Sequence, residues 1–205
     1  MEDLKTVVDF LAGLLWNTPD ILPWFVVLLL GTGLFLTVRL GFVQLRKLWH
    51  SVKVVAGVYD DKSNPGEVSH FQALSAALSA TVGIGNIAGV ALAIHWGGPG
   101  ALFWMWLTAF LGMASKYTEC TLAVKYRKIE TDGVVAGGPM YYMKHGLKGI
   151  WVYIAPVFAF CAIISSFGSG NAVQSNTLAL AFQSSFGIST WITGLLSATI
   201  VGLVI

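Results

Sequence analysis

Charge is what this sequence has least of. Asp, Glu, Lys and Arg make up 11% of it, against about a quarter in a soluble domain. No charged residue occurs from Phe71 to Ile94, and none from Gly149 to Ile205, a run of 57 residues. A soluble domain rarely goes so long without charge, so water is excluded as the solvent for most of this chain. The net charge of +2 excludes a nucleic-acid partner. Cysteine is scarce too. Cys120 and Cys161 sit in apolar stretches and are expected as small core residues, with no disulfide or metal implied. His50, His70, His95 and His145 are scattered without metal-ligand spacing. No His-Glu-x-x-His, no Gly-x-Ser-x-Gly and no paired acids in a shared pocket are found, so an enzyme is not expected. The opening residues Met1–Lys5 are acidic and lack the pattern of a signal peptide.

What is abundant is apolar length: 56% hydrophobic residues and a mean hydropathy of +0.73. The expected fold is all-α, a polytopic membrane protein. Residues 1–18 read as an interfacial amphipathic helix, because Leu4, Val7, Val8, Leu11, Leu14 and Leu15 recur at helical spacing. Residues 19–205 read as one membrane domain with spans at about 21–38, 71–96, 101–124, 150–180 and 190–205. Trp16 and Trp24 suit an aromatic belt. Basic residues set the orientation. Arg39, Arg46, Lys47, Lys53 and Lys62 fall in one connection and Lys125, Arg127, Lys128, Lys144 and Lys148 in another, with only Lys5 on the opposite side. Both connections are therefore expected in the cytoplasm, with the N-terminus outside a cell membrane. The chain is still apolar at Ile205, which suggests the front part of a longer protein. No internal repeat is evident, so a partner repeat would lie outside these residues.

Ala77–Gly89 is the most informative stretch. It carries Gly83, Gly85 and Gly89 around Thr81 and Asn86 inside a charge-free span. An anchor would use Leu, Ile and Val there. Glycines with polar side chains at membrane depth predict a helix that breaks, and freed backbone groups are tolerable in hydrocarbon only where they meet a ligand or line a cavity. A break at Val82–Asn86 frees the amides of Ile84 and Gly85 at a half-helix N-terminus, which suits a carboxylate. The carbonyls from Ser79 to Val82 suit a sodium ion or an ammonium group, and Thr81 and Asn86 add neutral side-chain oxygens. Two blander readings exist. One is a small-residue helix contact. The other is a dinucleotide fingerprint from Gly83 to Ala88, which lacks its strand and βαβ context.

Three further stretches stand out. Gly97–Gly112 opens with a glycine-rich turn and continues through Phe103, Trp104 and Trp106, which read as interfacial aromatics. Lys116 and Glu119 lie three apart within the third span, where they can pair as a structural or gating contact or serve a proton relay. The fourth span holds Ser165, Ser166, Gly168, Ser169, Gly170, Asn171 and Gln174. Asn171 and Gln174 share a helical face, so either could reach a substrate or bond a neighbouring helix.

Gly97–Gly112 resembles the signature of the alanine/glycine:cation symporters, also called sodium:alanine symporters. Gly137–Tyr142 (GGPMYY) resembles another stretch of that family. The resemblance covers 21–205 and implies a leucine-transporter-like inverted-repeat fold, of which this chain would hold the first repeat plus one preceding helix and lack the second repeat. The segment Val82–Asn86 (VGIGN) is similar to the Val-Gly-x-Gly-Asn segment of sodium-coupled neurotransmitter-type symporters. That likeness implies a substrate site of Thr81, Gly83, Ile84, Gly85 and Asn86, to which span four would add Asn171 and Gln174. It implies sodium at Thr81 and Asn86, and a second sodium at Ser79 and Val82. Gly89 and Val90 stand where those symporters carry larger residues, so gate closure does not carry over.

The function so implied is secondary active transport, sodium-coupled symport of a small neutral amino acid, alanine or glycine, by alternating access. Sodium would be a co-transported ligand, with no other cofactor. The lipid bilayer would be a partner, and the sequence does not decide the oligomeric state. The rivals are proton coupling on the same fold and an ion channel. A channel would want a symmetric filter, for which one asymmetric broken helix is poor material.

Overall fold

The computed structural model describes residues 2–20, 22–59, 68–129 and 134–204. Its elements in chain order are α1 (Glu2–Trp16), α2 (Trp24–Arg39), α3 (Val43–Arg46), α4 (Leu48–Val55), α5 (His70–Thr81), α6 (Val90–Gly97), α7 (Gly100–Lys125), β1 (Lys128–Ile129), β2 (Val135–Ala136), α8 (Pro139–Gly146), α9 (Trp151–Ser165), α10 (Val173–Phe186) and α11 (Thr190–Val204). Two π-helical segments, Gly85–Gly89 and Ser166–Ala172, precede α6 and α10. The elements fall into two compact units, Met1–Ala73 with Gly97–Lys125, and Leu74–Trp96 with Tyr126–Ile205.

In the first unit, α2 packs on α7 through small residues. A Cβ added to Gly33 would lie 3.1 Å from Leu111 Cβ, so the backbones meet because a side chain is missing. Ala114 is fully buried at the same helix, and Thr37 is 1% exposed. Gln44 of α3 ties the contact together. Its Nε2 donates to Thr37 Oγ1 at 2.8 Å and to Phe110 O at 3.1 Å, joining α2, α3 and α7. Trp16 and Phe25 stack at 4.6 Å between ring centroids and hold α1 to α2.

In the second unit, α8 packs on α9 and α10 on α11. Gly146 ends α8 against Tyr126, where a Cβ would approach the ring to 2.9 Å. Ala155, Ala179 and Thr193 are the buried residues of α9, α10 and α11. Gly187, at φ 69°, takes the left-handed conformation that stops α10. β1 and β2 form an antiparallel pair, Lys128 opposite Ala136. They are the one exception to an all-helical fold among the described residues.

Both units bury small residues and expose large apolar ones. Ile87, Phe167 and Leu203 are each at least 74% exposed, while the buried apolar set is Val43, Ala114, Ala155 and Ala179. This inverts a soluble domain, and a surface so made needs apolar surroundings. Among the described residues, Trp151–Phe186 is a single 36-residue helix long and apolar enough to cross a bilayer. The bent pair His70–Thr81 and Gly85–Gly97 qualifies if taken as one span, while Trp24–Arg39 and Thr190–Val204 are shorter apolar helices. α7 has the length but carries Lys116, Glu119 and Lys125.

Several expectations need correcting. The helix over the expected fourth span runs on to Phe186, because no breaker intervenes before Gly187. α2 begins at Trp24, after Pro23, whose ring cannot donate to a preceding turn. Cys120 and Cys161 are exposed, not core, because apolar faces here point outward. The basic connections hold α3, α4 and α8. Ile21, Lys62 and Ile205 lie outside the described residues, as does the side chain of Ser169.

Candidate functional site

α5 stops at Thr81. Val82 still donates its N–H to Leu78 O at 2.9 Å, but the ladder then ends. Helical conformation resumes at Ile84 (φ −62°, ψ −29°), and the axis has turned by 61° between the two halves. Gly83 sits at the corner, where a larger residue would displace the Gln174 carboxamide. An added Cβ would lie 2.9 Å from Gln174 Nε2 and 3.2 Å from its Oε1.

The break leaves backbone groups to satisfy. The Ile84 amide donates to Gln174 Oε1 at 3.0 Å, reaching across to the start of α10. The Thr81 carbonyl accepts from Asn86 Nδ2 at 3.2 Å, and this leaves Asn86 Oδ1 as a further acceptor. The Thr81 hydroxyl donates to Ala77 O at 2.7 Å, within its own helix. Asn86 N–H donates to Gly83 O at 3.1 Å and starts the next turn.

A cavity of about 480 Å³ opens at this corner. Ser79, Ala80, Thr81, Val82, Gly83, Gly85, Asn86, Gly170 and Gln174 line it. Seven of the nine residues singled out in the sequence therefore converge: Ser79, Thr81, Val82, Gly83, Gly85, Asn86 and Gln174. Ile84 joins them through its bond to Gln174. Asn171 does not line the cavity; its carbonyl accepts from Ser175 Oγ at 3.1 Å, in a run that has left α geometry. Ala80 and Gly170 were missed. Ala80 carries no chemistry of its own, and Gly170 gives nothing but space.

The chemistry on offer is unsymmetrical. One side of the cavity presents an amide donor at the start of a half-helix, where the dipole is positive. The other presents carbonyls at the end of α5, where it is negative. A molecule with an anionic and a cationic end fits such a pair, and so does a small cation on the oxygens. Among the described residues no group of His, Cys, Asp and Glu could hold a transition metal.

The profile of the sodium:alanine symporter family matches residues 1–205. The chain belongs to this family. Over 205 residues it is 47% identical to the sodium/alanine symporter AgcS of Methanococcus maripaludis, covering 99% of this chain and 44% of that protein. It is 40% identical over 202 residues to the probable sodium/glutamine symporter GlnT of Bacillus subtilis, covering 98% and 40%. It is 39% identical over 191 residues to the amino-acid carrier protein AlsT of the same organism, covering 92% and 40%. The chain thus spans less than half the length of the curated relatives it matches. The family is one of membrane-embedded transporters, not enzymes, which accords with the outward apolar faces described above.

Proposed function

We propose that this protein performs sodium-coupled symport of a small neutral amino acid, alanine or glycine, by alternating access, on a leucine-transporter-like inverted-repeat fold. The observation that carries this reading is the corner at Val82–Ile84, which sets Gly85, at the start of a half-helix, and the carbonyls at the end of α5 around one cavity. A substrate carboxylate takes the Gly85 amide. It takes the Ile84 amide only by displacing Gln174 Oε1. The substrate ammonium meets the Thr81 carbonyl. Sodium sits on that carbonyl and Asn86 Oδ1, and a second sodium on the Ser79 and Val82 carbonyls. Each cation offsets charge that the amino acid brings, so each ligand raises the affinity of the other. GlnT is named for glutamine, so glutamine is the rival cargo.

The test uses the full-length protein in proteoliposomes. Alanine or glycine uptake should saturate and should vanish without a sodium gradient; a proton gradient that sustains it alone would move the coupling to protons. Unlabelled glutamine at equal concentration should compete poorly. Equilibrium binding in detergent adds a second arm. Gly85→Ala should weaken amino-acid binding, because the added Cβ clashes with no heavy atom of this chain within 4 Å and projects where the backbone would meet the ligand. Lys116→Met should leave affinity intact, since its ion pair with Glu119 at 3.0 Å is solvent-accessible, with side-chain exposures of 69% and 42%. Normal affinity in Gly85→Ala with lost binding in Lys116→Met would overturn the site. The N-terminus outside is proposed with it. A cysteine at Asn17 should label only from outside and one at Asn64, which lies outside the described residues, only from the cytoplasm.

A further inference from the structure

The first unit carries a feature that the transport site does not use. From residue 22 to residue 59 there is no Asp or Glu, while Arg39, Arg46, Lys47 and Lys53 are all basic. Lys47 and Lys53 are exposed and form no ion pair among the described residues. Between them α4 holds apolar side chains outward: Leu48 is 62% and Trp49 71% exposed. A helix with basic residues, an exposed Trp and an exposed Leu suits the boundary between headgroups and acyl chains. Beside it lies a cavity of about 560 Å³ against α7, which Lys47 and His50 line together with the apolar Val54, Val55 and Met113.

We propose that α3, α4 and this cavity form a binding site for an anionic phospholipid. Lys47 and Lys53 attract the phosphate, and one acyl chain enters the cavity along Val54 and Met113. Charge complementarity chooses the occupant. A zwitterionic lipid would bring an ammonium group to helices α3 and α4, which hold no carboxylate between residues 43 and 55. A free anion would gain nothing from the apolar wall. An acidic peptide would match the lysines and leave the wall half filled. The inference needs the protein to lie in a membrane and does not depend on which solute it carries.

The experiment titrates the purified full-length protein in detergent with dioctanoyl phosphatidylglycerol and, separately, dioctanoyl phosphatidylcholine. At low salt the anionic lipid should bind about tenfold tighter, since each basic residue near an anionic headgroup adds several-fold and salt screens the effect. Lys47→Gln with Lys53→Gln should bring the two lipids to within about threefold of each other. Lys47→Arg with Lys53→Arg should keep the preference, which separates charge from folding. Val54→Trp, which narrows the cavity, should weaken both lipids and leave their ratio alone. Glycerol phosphate should fail to displace the lipid. Equal affinities in the parent protein, a preference that survives the Gln pair, or one lost only in Lys144→Gln with Lys148→Gln would overturn the proposal. So would displacement of the lipid by an oligoglutamate peptide, which would assign the surface to a protein partner.

Discussion

Two places in the second unit carry the same short pattern and end differently. Gly83-Ile84-Gly85-Asn86 and Gly168-Ser169-Gly170-Asn171 both read Gly-x-Gly-Asn. At the first the helix stops and turns by 61°. At the second it widens into a π segment over Ser166–Ala172 and runs on, within 36 unbroken residues. Glycine pairs therefore permit a break without requiring one. What differs is the partner set. At the first site Gln174 accepts from the Ile84 amide and Asn86 donates to the Thr81 carbonyl, so freed groups are satisfied. At the second, the side chains bond carbonyls of their own helix: Ser166 Oγ to Ile163 O at 2.7 Å and Ser175 Oγ to Asn171 O at 3.1 Å. They free no amide and cap none. Both sites carry a π segment; where water is absent a break persists only with such partners.

The comparison breaks most readily at Asn86. Asn86→Leu keeps bulk but strips the donor from the Thr81 carbonyl and the proposed oxygen from sodium. The loss should be about 1–3 kcal/mol, the cost of an unsatisfied buried polar group. The sodium concentration for half-maximal uptake should rise by about fivefold or more. An unchanged sodium dependence in a well-folded variant would remove Asn86 from the ion site.

Gln174→Leu comes next. The Ile84 amide loses its acceptor, and because Gln174 is only half-buried the expected destabilisation is about 1–2 kcal/mol. The thermal midpoint of the full-length protein should fall. If it holds, the corner is kept by something other than this bond.

The two glycine positions give the sharpest contrast and smaller effects. Gly83→Ala pushes its Cβ into the Gln174 carboxamide and should cost about 1 kcal/mol through the displaced hydrogen bond. Gly168→Ala meets no heavy atom within 4 Å. It removes glycine entropy from a helical position and should stabilise by about 0.5 kcal/mol. Opposite signs in paired melts would support the partner argument. Equal signs would mean that the two segments differ for some other reason.

The capacity for a corner was legible in the sequence, as two glycines beside a polar side chain in a stretch without charge; that it forms at Val82–Asn86 and not at Gly168–Asn171 was not. The long helices were legible through apolar length and charged boundaries. α3, α4 and α8 were not, since helices of four to eight residues carry too little periodicity to register and form by packing on longer neighbours. The partner of the Ile84 amide was not legible either. Asn171 and Gln174 look equivalent at α spacing, three residues apart on one face. The π segment ends between them, at Ala172, and its wider turn changes which side chain faces the corner. The sequence by itself determined only that the helix could break at Val82–Asn86, since glycine conformational freedom and the absence of charge are local properties that Gly168–Asn171 shares. Only the tertiary structure decided that Gln174 and not Asn171 would meet the break, because that choice depends on the winding of a second helix ninety residues along the chain.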